Sequence, residues 1–195
     1  MGLNYTPGLF TGSHQYQSAG VYAVHLSTGD NHGGTAEASF RYVVVYDPSA
    51  GFVAGGGWIN SPAGAYLYNS SLEGKAHFGF VAKYENGATT PSGQTNFEFQ
   101  VASLNFHSTA YQWLVVAGAK AQYKGFGTIN GIGNYGFMLT AIDGEASGGG
   151  GIDKFRMKIW DQATGQIVYD NQMNAADGSS AATALAGGSI VIHKG

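Results

Sequence analysis

Six histidines, in a chain where charged residues make up only 11%, are the groups best suited to do chemistry. Neutral imidazole binds zinc, copper or nickel and exchanges protons near neutral pH. His14 and His32, with Asp30 as a carboxylate companion, fall near the start of the chain, and His77 and His107 fall in its body. These residues are candidate metal ligands. No H-x-H or H-E-x-x-H spacing occurs, so such a site has to be assembled from separate strands or loops. The alternative for each is an exposed strand or turn histidine, and His77, out of phase with Phe78 and Phe80, fits that description.

The stretch from Asp143 through Glu145 to Asp153 offers three carboxylates among glycines, a composition suited to oxygen-ligated calcium, though not at EF-hand spacing. The expected cofactor is therefore a divalent metal: calcium, or zinc if the chain is an enzyme. Glu98, Asp143, Asp153 and Asp161 become an acid/base pair for glycoside cleavage only if two of them face one cleft. With no cysteine and no G-x-S-x-G elbow, a nucleophile has no signature here. Ser108 beside His107 does not establish a triad, which is defined by spatial roles. Trp58, Tyr66, Tyr68 and Trp160 are candidates for stacking on sugar rings, and Trp113 is expected in the core.

The elements that position these residues are strands. Glycine accounts for 32 of 195 residues, with 12 Tyr and 11 Phe, and helix-favouring residues are scarce. Alternation predicts strands over 21–26 and 35–46, 52–60, 76–84, 96–101, 111–117, 120–128, 135–142, 155–160, 167–169 and 189–193. Asn86-Gly87 and Asn130-Gly131 mark hairpin turns. The run Trp113–Val116 predicts a strand buried on both faces, and the small, aperiodic segment 175–187 predicts a mobile loop. Asp47-Pro48-Ser49-Ala50-Gly51 divides an N-terminal hairpin segment, residues 1–47, from a β module, residues 52–195. The fold class is all-β: an antiparallel β-sandwich or jelly roll preceded by a hairpin.

A net charge of -3 without a Lys/Arg run argues against nucleic acid and anionic membranes as partners. No apolar run reaches the roughly 20 residues of a spanning helix, so no membrane insertion is expected. No signal peptide is visible at Met1, so a secretion signal would lie upstream.

His14-x-Tyr16, Gly20-x-Tyr22-x-Val24-x-Leu26 and the turn Asp30-Asn31-His32-Gly33-Gly34 resemble the closing half of a PKD (polycystic kidney disease) domain. The first strands of such a domain are missing, which leaves an incomplete PKD-like hairpin. Residues 52 to 193 resemble a β module that follows PKD-type repeats in bacterial secreted proteins. That likeness rests on Gly55-Gly-Gly-Trp-Ile59, Gly74-Lys-Ala-His-Phe-Gly-Phe80, Tyr111-Gln-Trp-Leu-Val-Val116, Asp153-Lys-Phe-Arg-Met-Lys-Ile-Trp-Asp161 and Val168-Tyr-Asp-Asn171. The resemblance implies an extracellular or cell-surface parent and assigns no catalytic residues.

The first expectation for function is an extracellular, non-catalytic module for surface display, adhesion or glycan contact. The second is a small metal-dependent hydrolase of an ester or phosphoester, with histidines and carboxylates activating a water. A homo-oligomer formed through the N-terminal hairpin is also expected, because a lone two-stranded hairpin is marginal in water.

Overall fold

A computed structural model describes residues 2–6, 9–17, 20–29, 33–45 and 51–193. Its strands are β1 (Gly2–Thr6), β2 (Leu9–Ser13), β3 (Gly20–Gly29), β4 (Thr35–Val45), β5 (Phe52–Ser61), β6 (Gly74–Lys83), β7 (Ser92–Phe99), β8 (Leu104–Ala117), β9 (Lys120–Ile129), β10 (Ile132–Ile142), β11 (Lys154–Asp161), β12 (Ile167–Asp170), β13 (Thr183–Ala184) and β14 (Gly187–His193). The fold is all-β, as the sequence pattern predicts, and no helix among the described residues is long and apolar enough to cross a membrane. β1–β2 and β3–β4 are separate hairpins, of which only the second was expected. β3 and β4 lie near β8 without joining its sheet.

The remaining ten strands form one antiparallel sheet in the order β12-β11-β10-β9-β8-β7-β6-β5-β14, with β13 also on β11. It is a meander whose last long strand returns beside the first, so the sheet must curl before its inner face can be covered. Curling brings β6 and β7 over β11 and β12 as a sandwich: Phe78 stacks on Phe155 at 4.0 Å between ring centroids, and Phe97 meets Tyr169 at 4.7 Å. Ala76, Phe78, Phe80 and Ala82 all point into this core, and His77 and Lys83 point out, which is the alternation the sequence displays.

Glycine makes the curl possible by leaving room for rings on neighbouring strands. Gly55 pairs with Phe80, Gly125 with Phe137, Gly136 with Trp160 and Gly187 with Trp58. A Cβ would stand 2.8 Å from the Phe80 ring at Gly55, 2.7 Å from Phe137 at Gly125, 2.3 Å from Trp160 at Gly136 and 2.5 Å from Trp58 at Gly187. None of these four has a positive φ. Their role is space: the aromatic side chain covers a strand that has no side chain of its own.

Two polar devices close the ends of the curled sheet. Along one seam, Asp143 Oδ2 accepts from Ile192 N at 2.9 Å and Asp153 Oδ2 accepts from Ile190 N at 2.7 Å, so carboxylates of the β10–β11 loop take the place of a strand beside β14. At the other seam, the β5–β6 loop bonds to β12, with Leu67 N donating to Val168 O and Asp170 N donating to Ala65 O.

Two expectations need correction. Residues 175–187 are not a free loop but part of a strap laid across the outer face of β9–β11. Arg156 Nη1 donates to Ala176 O at 2.8 Å, Gln122 Nε2 to Asp177 O at 2.6 Å and Lys120 Nζ to Gly178 O at 2.7 Å. Asn171 anchors its start, accepting from Met157 N and donating to Phe155 O and Thr183 Oγ1. Trp113 and Val116 are only half-buried, whereas Leu114 and Val115 between them are buried. Here β8 leaves β7, and the Tyr84 phenol fills the gap by donating to Leu114 O and accepting from Leu114 N.

Candidate functional site

The outer face of β5–β8 stays wet, and strand register gathers its functional groups into a row. Trp58 on β5 lies opposite His77 on β6, His77 opposite Glu98 on β7, and Glu98 opposite Asn105 on β8. At about 4.8 Å per strand the row spans roughly 14 Å. His77, Glu98 and Asn105 are exposed and Trp58 is half-buried, because their neighbours along each strand carry the buried face. At its β7–β8 end lies an open depression of about 260 Å³ lined by Glu98, Gln100, Ser103, Leu104 and Asn105. Drug-sized pockets are usually about 300–1,000 Å³, so this hollow suits a small polar ring better than a bulky cofactor.

Trp58 is fixed as a platform. Its indole rests against Gly187, and Lys75 Nζ stands 4.0 Å from the ring centroid. An exposed cation–π contact is worth about 0.5–1 kcal/mol, so a ligand stacking on the ring displaces the ammonium at small cost. In the next row, His107 Nδ1 meets Asn96 Oδ1 at 2.6 Å, which sets the imidazole against an amide rather than a metal or a serine. Ser108 points the other way, as successive strand residues must. Its hydroxyl accepts from Thr95 N and joins the phenol of Tyr111, which with Tyr123 meets Thr95 Oγ1.

Trp160 repeats the arrangement on β11. Its ring lies against Gly136, Lys124 Nζ stands 5.3 Å from its centroid, and the Gln162 amide, oriented to its donors, accepts from Trp160 Nε1 at 2.9 Å. Tyr66 and Tyr68 sit on the β5–β6 loop, edge to face at 5.5 Å. Tyr66 is half-buried and bridges to Tyr169, and burial, helped by the phenols of Tyr68 and Tyr135, pushes its pKa up. Tyr68 is 60% exposed and free to touch a ligand.

The proposed metal ligands are dispersed. His14 is exposed, edge to face with Tyr16, and Asp30 and His32 lie outside the described residues. Asp143 Oδ1 accepts from Glu145 N and Ala146 N, and Asp153 Oδ1 accepts from Gly144 N, while Glu145 is exposed. The two aspartates therefore serve five backbone N–H groups, counting their bonds to β14. Among the described residues no group of three or more His, Asp or Glu could hold a metal ion. Asp161 caps its own turn at the opposite end of β11 from Asp153, and Glu98 is on the outer face, so the four carboxylates do not share a cleft.

No family model, curated protein or solved structure matches the chain. Sequence reading found Trp58 and His77 but not their alignment with Glu98 and Asn105, because alternation assigns a face and register assigns the neighbours. Lys75, two residues before His77 on the same face, carried the available signal.

Proposed function

We propose that this chain is a non-catalytic saccharide-contact module of an extracellular protein, binding through the outer face of β5–β8. The observation that carries the reading is the Trp58–His77–Glu98–Asn105 row, with its glycine-backed indole at one end and a polar hollow at the other. A flat indole suits the C–H face of a pyranose, and imidazole, carboxylate and amide supply donors and acceptors for its hydroxyls. The open, shallow surface favours holding a chain over enclosing a reacting group. Its test is co-sedimentation with insoluble polysaccharides, comparing the unsubstituted protein with Trp58→Ala and Glu98→Gln. Retention by at least one polysaccharide, reduced by both substitutions, is expected; no retention by any polysaccharide would reject the reading.

A further inference from the structure

The two Asn-Gly pairs of the chain, Asn86-Gly87 and Asn130-Gly131, both lie exposed between antiparallel strands, but the fold treats their carboxamides differently. The Asn130 amide is clamped. Its Oδ1 accepts from Asn105 N at 3.1 Å and its Nδ2 donates to Ser103 O at 3.0 Å, while its backbone N donates to Asn105 O at 2.7 Å. With φ at 53°, the residue is held in the left-handed region at the turn from β9 to β10. Asn86, between β6 and β7, has no such clamp. Among the described residues no hydrogen bond reaches its carboxamide or the backbone N of Gly87, and the turn is closed by Ala88 N donating to Glu85 O at 2.9 Å. Gly87 has φ at 77°, and apart from its chain neighbours no heavy atom stands within 4 Å of where its Cβ would be.

We propose that Asn86 is a site of spontaneous modification, deamidating through a succinimide, and that Asn130, in the same dipeptide, is protected by its clamp. The Gly87 N–H gives its proton to solvent base, and the nitrogen attacks Asn86 Cγ to form the new N–Cγ bond. The Cγ–Nδ2 bond then breaks, and Nδ2 takes up a proton and leaves as ammonia. Water opens the succinimide ring at Cγ, giving aspartate, or at the Asn86 backbone carbonyl carbon, giving isoaspartate. Water is the sole co-reactant. Glycine at position 87 favours the attack because no side chain shields its nitrogen. At Asn130 the same attack requires the carboxamide to swing off Ser103 O and Asn105 N, and two hydrogen bonds at their usual net worth correspond to about tenfold or more in rate. The product sets a second carboxylate beside Glu85, which already pairs with Lys83 Nζ at 2.9 Å and accepts from Ser92 Oγ at 3.3 Å. His77 lies six residues along β6 from Lys83, about 20 Å at the strand rise, so the Trp58 row is out of its reach.

The test is incubation of the folded protein at mildly alkaline pH, followed by tryptic mapping, which puts the two asparagines in separate peptides, 84–120 and 125–154. Fragment spectra are expected to show the amide-to-acid change in mass accumulating about tenfold or more faster at position 86 than at position 130, with isoaspartate formed alongside aspartate. In urea, where the clamp is gone, the two pairs should convert at comparable rates. Isoelectric focusing of the folded protein should show an acidic species growing with time, and Asn86→Gln should suppress it. The proposal is overturned if the two amides convert at equal rates in the folded protein or Asn130 converts first. It is overturned equally if aspartate forms without isoaspartate, which would mean direct hydrolysis. A difference that persists undiminished in urea would assign the selectivity to neighbouring residues and refute protection by the clamp.

Discussion

Arg156 and Asp170 meet side by side inside the protein, Nε to Oδ1 at 3.0 Å and Nη2 to Oδ2 at 2.8 Å, with side chains 1% and 2% exposed. The pair ties β11 to β12 at the point where the strap begins, and the remaining guanidinium donors hold the strap carbonyls of Ala175 and Ala176. Asp170→Ala leaves a buried cation without its partner and should cost about 3–5 kcal/mol in urea unfolding at neutral pH. The double substitution Arg156→Met, Asp170→Leu should cost clearly less than the sum of the single ones. Additive losses would mean that the two residues act independently.

This pair also marks a limit of sequence reading. Arg156 stands in an alternating strand whose other face, Phe155, Met157 and Ile159, is plainly apolar, and alternation alone puts the arginine on the solvent side. Its burial depends on residues 172–182, which have no periodicity, and on hydrogen bonds that cross the sheet and leave no local signal. The strands themselves were legible because one wet and one dry face impose a period of two. What alternation could not supply was the closure by Asp143 and Asp153, whose glycine-rich setting resembles a cation loop as much as a set of backbone acceptors.

If those two aspartates close the sheet, Asp153→Ala should leave Gly144 N and Ile190 N without acceptors and cost roughly 1–3 kcal/mol for each donor that stays buried. Hydrogen exchange should quicken at Ile190 and Ile192 before it does in β9 or β10. Because the carboxylate oxygens already receive N–H groups, EDTA should leave the thermal midpoint in place. A lower midpoint in EDTA would assign the closure to a bound cation.

The pairing of glycines with rings predicts where one methyl group does harm. At Gly125 a Cβ would meet Ala110 O at 2.2 Å and the Phe137 ring at 2.7 Å, both in the packed sheet, so Gly125→Ala should lose about 1–3 kcal/mol or more. At Gly136 the obstacles are the side chains of Trp160 and Gln162, so Gly136→Ala should remain folded with the indole turned outward. A red-shifted tryptophan emission with an unchanged far-UV spectrum is the expected readout. A stable Gly125→Ala variant would contradict this account of the curl.

Alkaline stability follows from the buried phenols. Burial raises the pKa of Tyr66, Tyr111, Tyr123 and Tyr169 above the ordinary value. Above about pH 10 the unfolded chain sheds phenol protons that the native state keeps, so it binds fewer protons and stability falls as pH rises. The lowered pKa of Lys120 and Lys124 works in the opposite sense, adding stability as those amines lose their protons nearer neutrality. Urea midpoints should therefore hold or rise slightly toward pH 10 and then drop, with a smaller drop in Tyr123→Phe. A flat profile above pH 10 would count against the buried hydroxyl cluster.

Saccharide contact by the aligned outer row of β5–β8 is measured most directly on a glycan array probed with the unsubstituted protein and with Trp58→Ala. The expected result is a restricted set of related glycans bound by the unsubstituted protein and lost, by tenfold or more in signal, in Trp58→Ala. An array without hits, or one whose hits survive removal of Trp58, would contradict it.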